Sequence, residues 1–309
     1  MSRSEPESRT APEIDLAKCL TSGQVFRWRR EANHWIGVDG ENAYRLPCDP
    51  TRAEGGSSLR TDWKEQASLD SFFRLDWDYI DVLAILGPEL VPFLGSARGL
   101  RLLRPSCPRE ALFSFLCTSN NHISRITQMV GKLAAYGPPL PAAMPRAAEG
   151  EGVPKYRNPL PDEEHHRFPS LDRLAEITEQ QLREQGFGYR ARTIPLVAHE
   201  LLARGGERYL SETKTKPYQT VYDELIPLPG VGPKLADCIA LYAFDKTEAV
   251  PIDVHMWRAA CPVFFPQWTG TALSENKRRA LGDVLRTRFG ALAAVAQQVL
   301  FYSSLTAKR

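Results

Sequence analysis

Along this chain the spacing of apolar positions changes once. From Asp15 to about Leu59 short runs alternate, as strands do. In VFRWR, Phe26 and Trp28 fall on one side and Arg27 and Arg29 on the other. HWIGV and AYRL follow after the polar turns EAN and DGEN, which predicts an antiparallel sheet. From Asp70 onward the spacing is helical. SLDSFF and DYIDVLAILG read as helices, and Ser106 is placed to cap another, with Pro108 just inside it and Leu112, Phe115 and Leu116 inward. Helical spacing continues through Ile123, Ile126, Val130 and Leu133. It resumes at Leu171, Leu174 and Ile177, then at Ile194, Val197 and Leu201. Two last helices are expected over 274–288, with Ala280, Leu281, Val284 and Leu285 inward, and over about 291–305. Residues 1–13 read as a disordered tail, and the proline- and charge-rich stretch 138–169 as a long irregular insertion. The pattern predicts an α+β chain: a small antiparallel β-rich domain over 14–105, then a mainly helical body over 106–309, with no internal repeat.

Composition narrows the function classes. A chain of 309 residues that is 43% hydrophobic can bury a substantial core. A net charge of +2 excludes a polybasic non-specific binder but leaves room for a local basic face. No apolar run reads as long enough to span a membrane, and MSRSEPESRTAPE is too polar for a signal peptide. The six cysteines show no C-x-x-C pair and no clustering, so a disulfide framework, a zinc site and an iron–sulfur cluster are not expected. That usage fits a reducing intracellular compartment, which is the nucleus in a eukaryote and the cytoplasm in a bacterium.

The chemistry concentrates between Leu228 and Trp257. LPGVGPK is a glycine-punctuated turn between two apolar-periodic segments, within a hairpin spanning about 216–244. Gly230 and Gly232 permit positive φ and close approach to bare backbone amides. The helix beginning near Pro233 points its free amides and positive dipole end at that turn, which suits a phosphate. Such a helix-hairpin-helix grips a DNA backbone without reading sequence. Lys234 lies in the first turn of the second helix, and Asp253 follows nineteen positions later in PIDVH at another helix start. Cys238, at i+4 from Lys234, shares its face. An exposed lysine is protonated at neutral pH, but dipole and burial both act to lower its pKa and free a neutral amine. That amine could attack C1′ of a flipped nucleotide, displace the base and leave a Schiff base. Asp253 would cap its helix and also stabilise positive charge on the sugar. His255 could touch a flanking phosphate. The plain alternatives are a phosphate-holding lysine, a capping aspartate and a packed histidine.

A hairpin lysine followed by a downstream carboxylate resembles the helix-hairpin-helix superfamily of DNA glycosylases, and the flanking segments resemble one branch, the 8-oxoguanine DNA glycosylases. TSGQVFRW (21–28) is similar to that family's SGQ-x-FRW segment, which implies that the Gly23 carbonyl faces the damaged base. Guanine N7 accepts a hydrogen bond, whereas 8-oxoguanine carries an N7–H donor. A fixed carbonyl would therefore match the lesion and repel guanine, and an unmatched buried contact costs about 1–3 kcal/mol. CTSNNHISRI (117–126) could be only a helix–helix turn capped by Ser119 and Asn120. The resemblance implies instead that Asn120, beside Asn121, fills the gap left by the flipped base, and that Arg125 recognises the orphaned cytosine. His122 stands where the family commonly has a third asparagine. GFGYRAR (186–192) implies Tyr189 as a wedge and Arg190 as a second contact to the cytosine. AQQVLF (296–301) implies Gln297 on the base's Watson–Crick edge and Phe301 stacked on the base opposite Cys238, with Gln298 the alternative glutamine. The Lys277, Arg278 and Arg279 cluster reads as a solvated face and is left out of the site.

The resemblance runs from about Asp15 to Leu305 and implies a monomeric, cofactor-free, metal-free bifunctional DNA glycosylase and apurinic/apyrimidinic lyase. Its implied partner is double-stranded DNA containing 8-oxoguanine opposite cytosine. Two other readings stay open at this point: a hairpin glycosylase of another base specificity, and a non-catalytic damage-binding protein.

Overall fold

A computed structural model describes residues 14–48, 66–140 and 165–306. The expected tail 1–13 and the core of the expected insertion, 141–164, lie outside the described residues. The insertion's two flanks meet: Pro139 and His166 form an antiparallel bridge, and Leu140 N–H donates to the His165 carbonyl at 2.6 Å.

The sheet has three antiparallel strands in sequential order, β1 (Trp28–Glu31), β2 (His34–Asp39) and β3 (Asn42–Pro47). Its register places Gly37 between Trp28 and Tyr44. A Cβ at Gly37 would come within 2.2 Å of the Trp28 ring, so the glycine is what lets Trp28 lie flat across β2. Trp28 then stacks on Tyr44 (centroids 6.0 Å apart) and tilts against Phe72, closing a small core with Leu16, Leu46, Phe73 and Leu103. One expectation fails here. Residues 15–21, read as strand-like, form a helix, α1 (Leu16–Thr21), because Asp15 caps it through Lys18 N–H and buries Leu16, Cys19 and Leu20 on one side.

The rest is helical: α2 (Gln66–Phe72), α3 (Tyr79–Ile85), α4 (Val91–Ala97), α5 (Pro108–Leu116), α6 (Ile123–Ala134), α7 (Leu171–Glu176), α8 (Glu179–Glu184), α9 (Arg190–Ala203), α10 (Gly206–Thr213), α11 (Tyr218–Leu225), α12 (Pro233–Phe244), α13 (Val254–Phe264), α14 (Glu275–Phe289) and α15 (Ala293–Thr306). α12 is buried on every side from Leu235 to Phe244 and runs through the middle of the large core. Val82, Leu86, Leu90 and Ala97, from α3, α4 and their junction, join that large core rather than the small one. α14 and α15 run on through a short 3-10 turn, and Glu275–Thr306 does contain a stretch long and apolar enough to cross a membrane, contrary to the reading from sequence. Half of that stretch is buried inside the protein.

Two caps also differ from expectation. Cys107, not Ser106, caps α5, its Sγ accepting the Glu110 N–H at 3.4 Å, while the Ser106 N–H donates to Asp39 at 2.9 Å. His122, not Ser119 or Asn120, stands at the start of α6 without a side-chain cap bond.

Candidate active site

The hairpin is α11, a turn, and α12. Gly230 uses the left-handed region (φ 77°), and a Cβ there would meet Thr193 Cγ2 of α9 at 2.8 Å. Gly232, expected to need the same freedom, is extended (φ −96°, ψ 176°) and serves as the N-cap of α12 without a side chain. Pro233 at the first position has no amide to satisfy, and no side chain caps the turn, so its positive end is open to an anion. Replacing Gly230 with alanine should cost about 1–3 kcal/mol, from strained backbone and the Thr193 clash. The drop should be measurable as a lowered Tm with weaker binding to any duplex, damaged or not.

Lys234, Cys238 and Asp253 come together as spaced. Lys234 and Cys238 share one face of α12, and Asp253 begins α13, its Oδ1 accepting from the amides of His255 and Met256 at 2.9 Å each. His255 itself is half-buried, in the first turn of that helix. The sign of the lysine's shift, however, is opposite to that expected. The Lys234 ammonium is held above its ordinary range, first by the charge that a Cys238 thiolate carries and then by Asp253, against burial, which pushes it down. Burial pushes the Cys238 thiol up to about 11. At neutral pH the pair therefore keeps both protons, ammonium beside thiol. Attack requires that the amine give one up.

One turn beyond Cys238, Tyr242 links this helix to α15 and α5. Its hydroxyl donates to Gln298 Oε1 at 3.3 Å, and its ring stacks on Phe115 with centroids 5.0 Å apart. Phe115 in turn meets Phe26 edge-on, three residues after Gly23. Gln297 and Gln298 are both buried, but they differ. Gln298 spends its oxygen on Tyr242 and leaves its Nε2 buried without a partner, whereas in Gln297 it is the Oε1 that has none. Each glutamine therefore keeps one unspent polar atom, an acceptor on Gln297 and a donor on Gln298. Phe301, one turn on, is half-buried against the large core.

Gly23 is held by a residue that sequence reasoning passed over. Gln24 is buried and makes three bonds: Nε2 to Ser22 Oγ (3.1 Å) and to the Arg101 carbonyl (3.0 Å), with Leu103 N–H donating to its Oε1 (2.9 Å). These lock the Gly23 turn (φ 83°) onto the 101–103 segment, with Ile123 3.7 Å from where a Gly23 Cβ would lie. Gln24→Ala orphans a buried N–H and a buried carbonyl and should cost about 2–4 kcal/mol. Urea unfolding measures it. The signal was present in SGQ, whose glutamine drew no attention beside the glycine.

A second cluster faces it. The Ser119 carbonyl accepts from Tyr189 Oη at 3.0 Å and from the Arg190 guanidinium, which also lies over the Tyr189 ring. Arg190 is buried and Tyr189 is 56% exposed, so the aromatic projects from the surface rather than packing in the core. Arg125 is exposed and donates to the Gly186 carbonyl at 3.1 Å. Asn120 is exposed in the left-handed region (φ 49°), a conformation asparagine tolerates. Asn121 is occupied otherwise: its amide donates to the Cys117 carbonyl and its oxygen accepts the His122 N–H, closing the turn. Arg278, left out from sequence as part of a solvated face, is in fact turned inward onto Asp237.

Helix, glycine turn and helix, with a lysine in the first turn and a carboxylate opening the next helix, define a helix-hairpin-helix DNA glycosylase of the lysine-bearing kind. Comparison with known proteins agrees. Residues 8–112 match the family model for the 8-oxoguanine DNA glycosylase N-terminal domain. The chain is 31% identical to the N-glycosylase/DNA lyase OGG1 of Arabidopsis thaliana, over 98% of this chain and 81% of that one. It is 34% identical to the N-glycosylase/DNA lyase of Saccharomyces cerevisiae, over 91% and 74%. In structure it matches the Clostridium acetobutylicum 8-oxoguanine glycosylase/lyase bound to DNA with a TM-score of 0.77 at 24% identity, covering 96% of this chain and 94% of that one. The chain belongs to the N-glycosylase/DNA lyase family of 8-oxoguanine DNA glycosylases.

Proposed function

We propose that the protein flips 8-oxoguanine out of a duplex where it pairs with cytosine, excises it through a Lys234 Schiff base, and then cleaves the strand. The observation that carries the chemistry is the convergence of Lys234, Cys238 and Asp253 at the uncapped start of the hairpin's second helix. Lys234 Nζ gives up a proton, with Asp253 the carboxylate in electrostatic reach, and bonds to C1′ as the base–sugar bond breaks. The base leaves with its bonding electrons and takes up a proton. Opening of the sugar ring gives the imine, which acidifies the C2′ proton. Loss of that proton expels the 3′-phosphate by β-elimination.

Specificity is read elsewhere. The Gly23 carbonyl, held by Gln24, accepts from the lesion's N7–H, and Gln297 takes the Watson–Crick edge. Asn120, Arg125, Tyr189 and Arg190 occupy the gap and the cytosine, with Asn121 shaping their loop. The fold leaves this choice of base open, because a 3-methyladenine DNA-glycosylase of Archaeoglobus fulgidus shares it with a TM-score of 0.64. The protein is read as a monomer, in a reducing compartment that suits its six free cysteines.

Borohydride trapping tests this reading. Duplexes carrying 8-oxoguanine opposite cytosine, 8-oxoguanine opposite adenine, guanine opposite cytosine and 3-methyladenine opposite thymine are each incubated with the protein and reduced. The expected result is a covalent adduct dominated by the first duplex. Equal release from the guanine or 3-methyladenine duplex would overturn the Gly23 assignment, and tight binding without any adduct would overturn the Schiff base.

A further inference from the structure

Three residues past Lys234, in a helix buried on every side from Leu235 to Phe244, sits a carboxylate. Asp237 is only 1% exposed. Its Oδ1 accepts from Tyr218 Oη at 2.7 Å, and its Oδ2 lies 3.5 Å from Arg278 Nη1. The backbone N–H of Val250 faces the carboxylate and helps to lower its pKa. The positions of these partners matter. Tyr218 opens α11, the first helix of the hairpin. Arg278 belongs to α14, where Glu275 and Tyr222 hold its guanidinium. Val250 lies three residues before Asp253. One carboxylate therefore joins the helix that carries the nucleophile to both the other half of the hairpin and the segment that carries its acidic partner.

We propose that Asp237 is a positioning residue for the reaction: by accepting from Tyr218, pairing with Arg278 and facing the Val250 amide, it sets the placement of Lys234 relative to Asp253. The inference rests on the reading of Lys234 as the nucleophile. A misplacement of about 1 Å between reacting groups costs on the order of a hundredfold in rate, so the link need not touch substrate to matter.

Its cost to the fold supports this. Burial raises the Asp237 carboxyl to about 6, although Tyr218, Arg278, Arg286 and the Val250 amide all pull it down. An acid raised in the folded state is destabilising while ionised, and that cost is relieved as pH falls through about 6 toward the unfolded value. At neutral pH the protein thus keeps a charge that its interior does not fully compensate. A neutral residue there is not expected to weaken the fold at pH above 6, yet it would loosen the three-way link.

Single-turnover excision on a duplex with 8-oxoguanine opposite cytosine separates positioning from mere packing. For Asp237→Asn, excision should slow at least about tenfold, with duplex Kd within about twofold and Tm near pH 7.5 within about 3 °C of the natural protein. The natural protein's rate should also fall more steeply below about pH 6, where Asp237 takes up a proton, and that extra slope should vanish in the variant. An unchanged rate overturns the proposal, and so does a rate loss that comes with an equal loss of Tm. Should Asp237→Asn fail to fold, Tyr218→Phe removes the hydroxyl's bonds to Asp237 and Arg286 and keeps the ring; it should slow excision about threefold with Tm lowered by about 3 °C at most, and no slowing overturns the proposal. Lys234→Gln is run beside them. If it still forms the reduced adduct, the nucleophile reading itself has failed; if it does not and Asp237→Asn excises normally, only this inference has.

Discussion

Lys234→Gln should abolish the borohydride adduct and lower base excision by about 10³-fold or more, with duplex binding retained. Glutamine keeps the length and polarity of the first turn of α12 but has no amine to form the carbon–nitrogen bond. Binding should survive because the grip on the backbone comes from the open amides after Gly232 and from the glycine turn, not from the side chain. The natural protein's rate should also rise with pH. Lys234 is held above its ordinary value by Cys238 and Asp253, so below that value the neutral fraction grows about tenfold per pH unit. Single-turnover constants from about pH 6 to about pH 9 should climb accordingly. A flat profile would mean that the amine is already neutral in the complex.

Asp253→Asn should slow excision by about 10²- to 10³-fold while leaving stability within about 0.5 kcal/mol. Asparagine caps a helix about as well as aspartate, and its amide oxygen can still accept from the His255 and Met256 amides. What it lacks is charge. The substitution thus separates the two roles that sequence left superimposed: if capping were the whole of Asp253's work, the variant would excise normally. Kinetics under single turnover and a urea titration on the same preparation measure both arms.

Much of the site was legible because it depends on local spacing. Lys234 and Cys238 share a face by helix geometry alone, and Asp253 follows a proline and precedes an apolar-periodic run, as a cap does. The strands showed in alternation and most helices in their period. Other positions were misread. Residues 16–21 fall at the start of the stretch read as strand-like, but Leu16, Cys19 and Leu20 are at helical spacing, and the Asp15 cap and burial against the sheet make them a helix. Ser106 resembles a cap, but Cys107 accepts the Glu110 N–H, and the Ser106 N–H donates to Asp39, distant in sequence. Arg278 resembles a solvated charge until α14 packs it onto Asp237. The direction of the Lys234 shift was misread because dipole and burial were weighed alone, whereas the charge of a Cys238 thiolate one turn along the same helix, and then Asp253 from the next helix, push the other way.

By itself, then, the sequence determined the chemistry-bearing hairpin, the residues that could act there and the order of strands and helices, since these follow from short-range periodicity, turn chemistry and motif. Only the tertiary structure decided which groups meet: Gln24 behind Gly23, Tyr242 between Cys238 and Gln298, and Asp237 between the two halves of the catalytic centre. It also decided which of two neighbouring glutamines keeps an unspent acceptor, and that Arg190 begins folded against Ser119. The physical reason is that hydrogen bonding and desolvation in a packed interior depend on partners many residues away, which local periodicity does not encode.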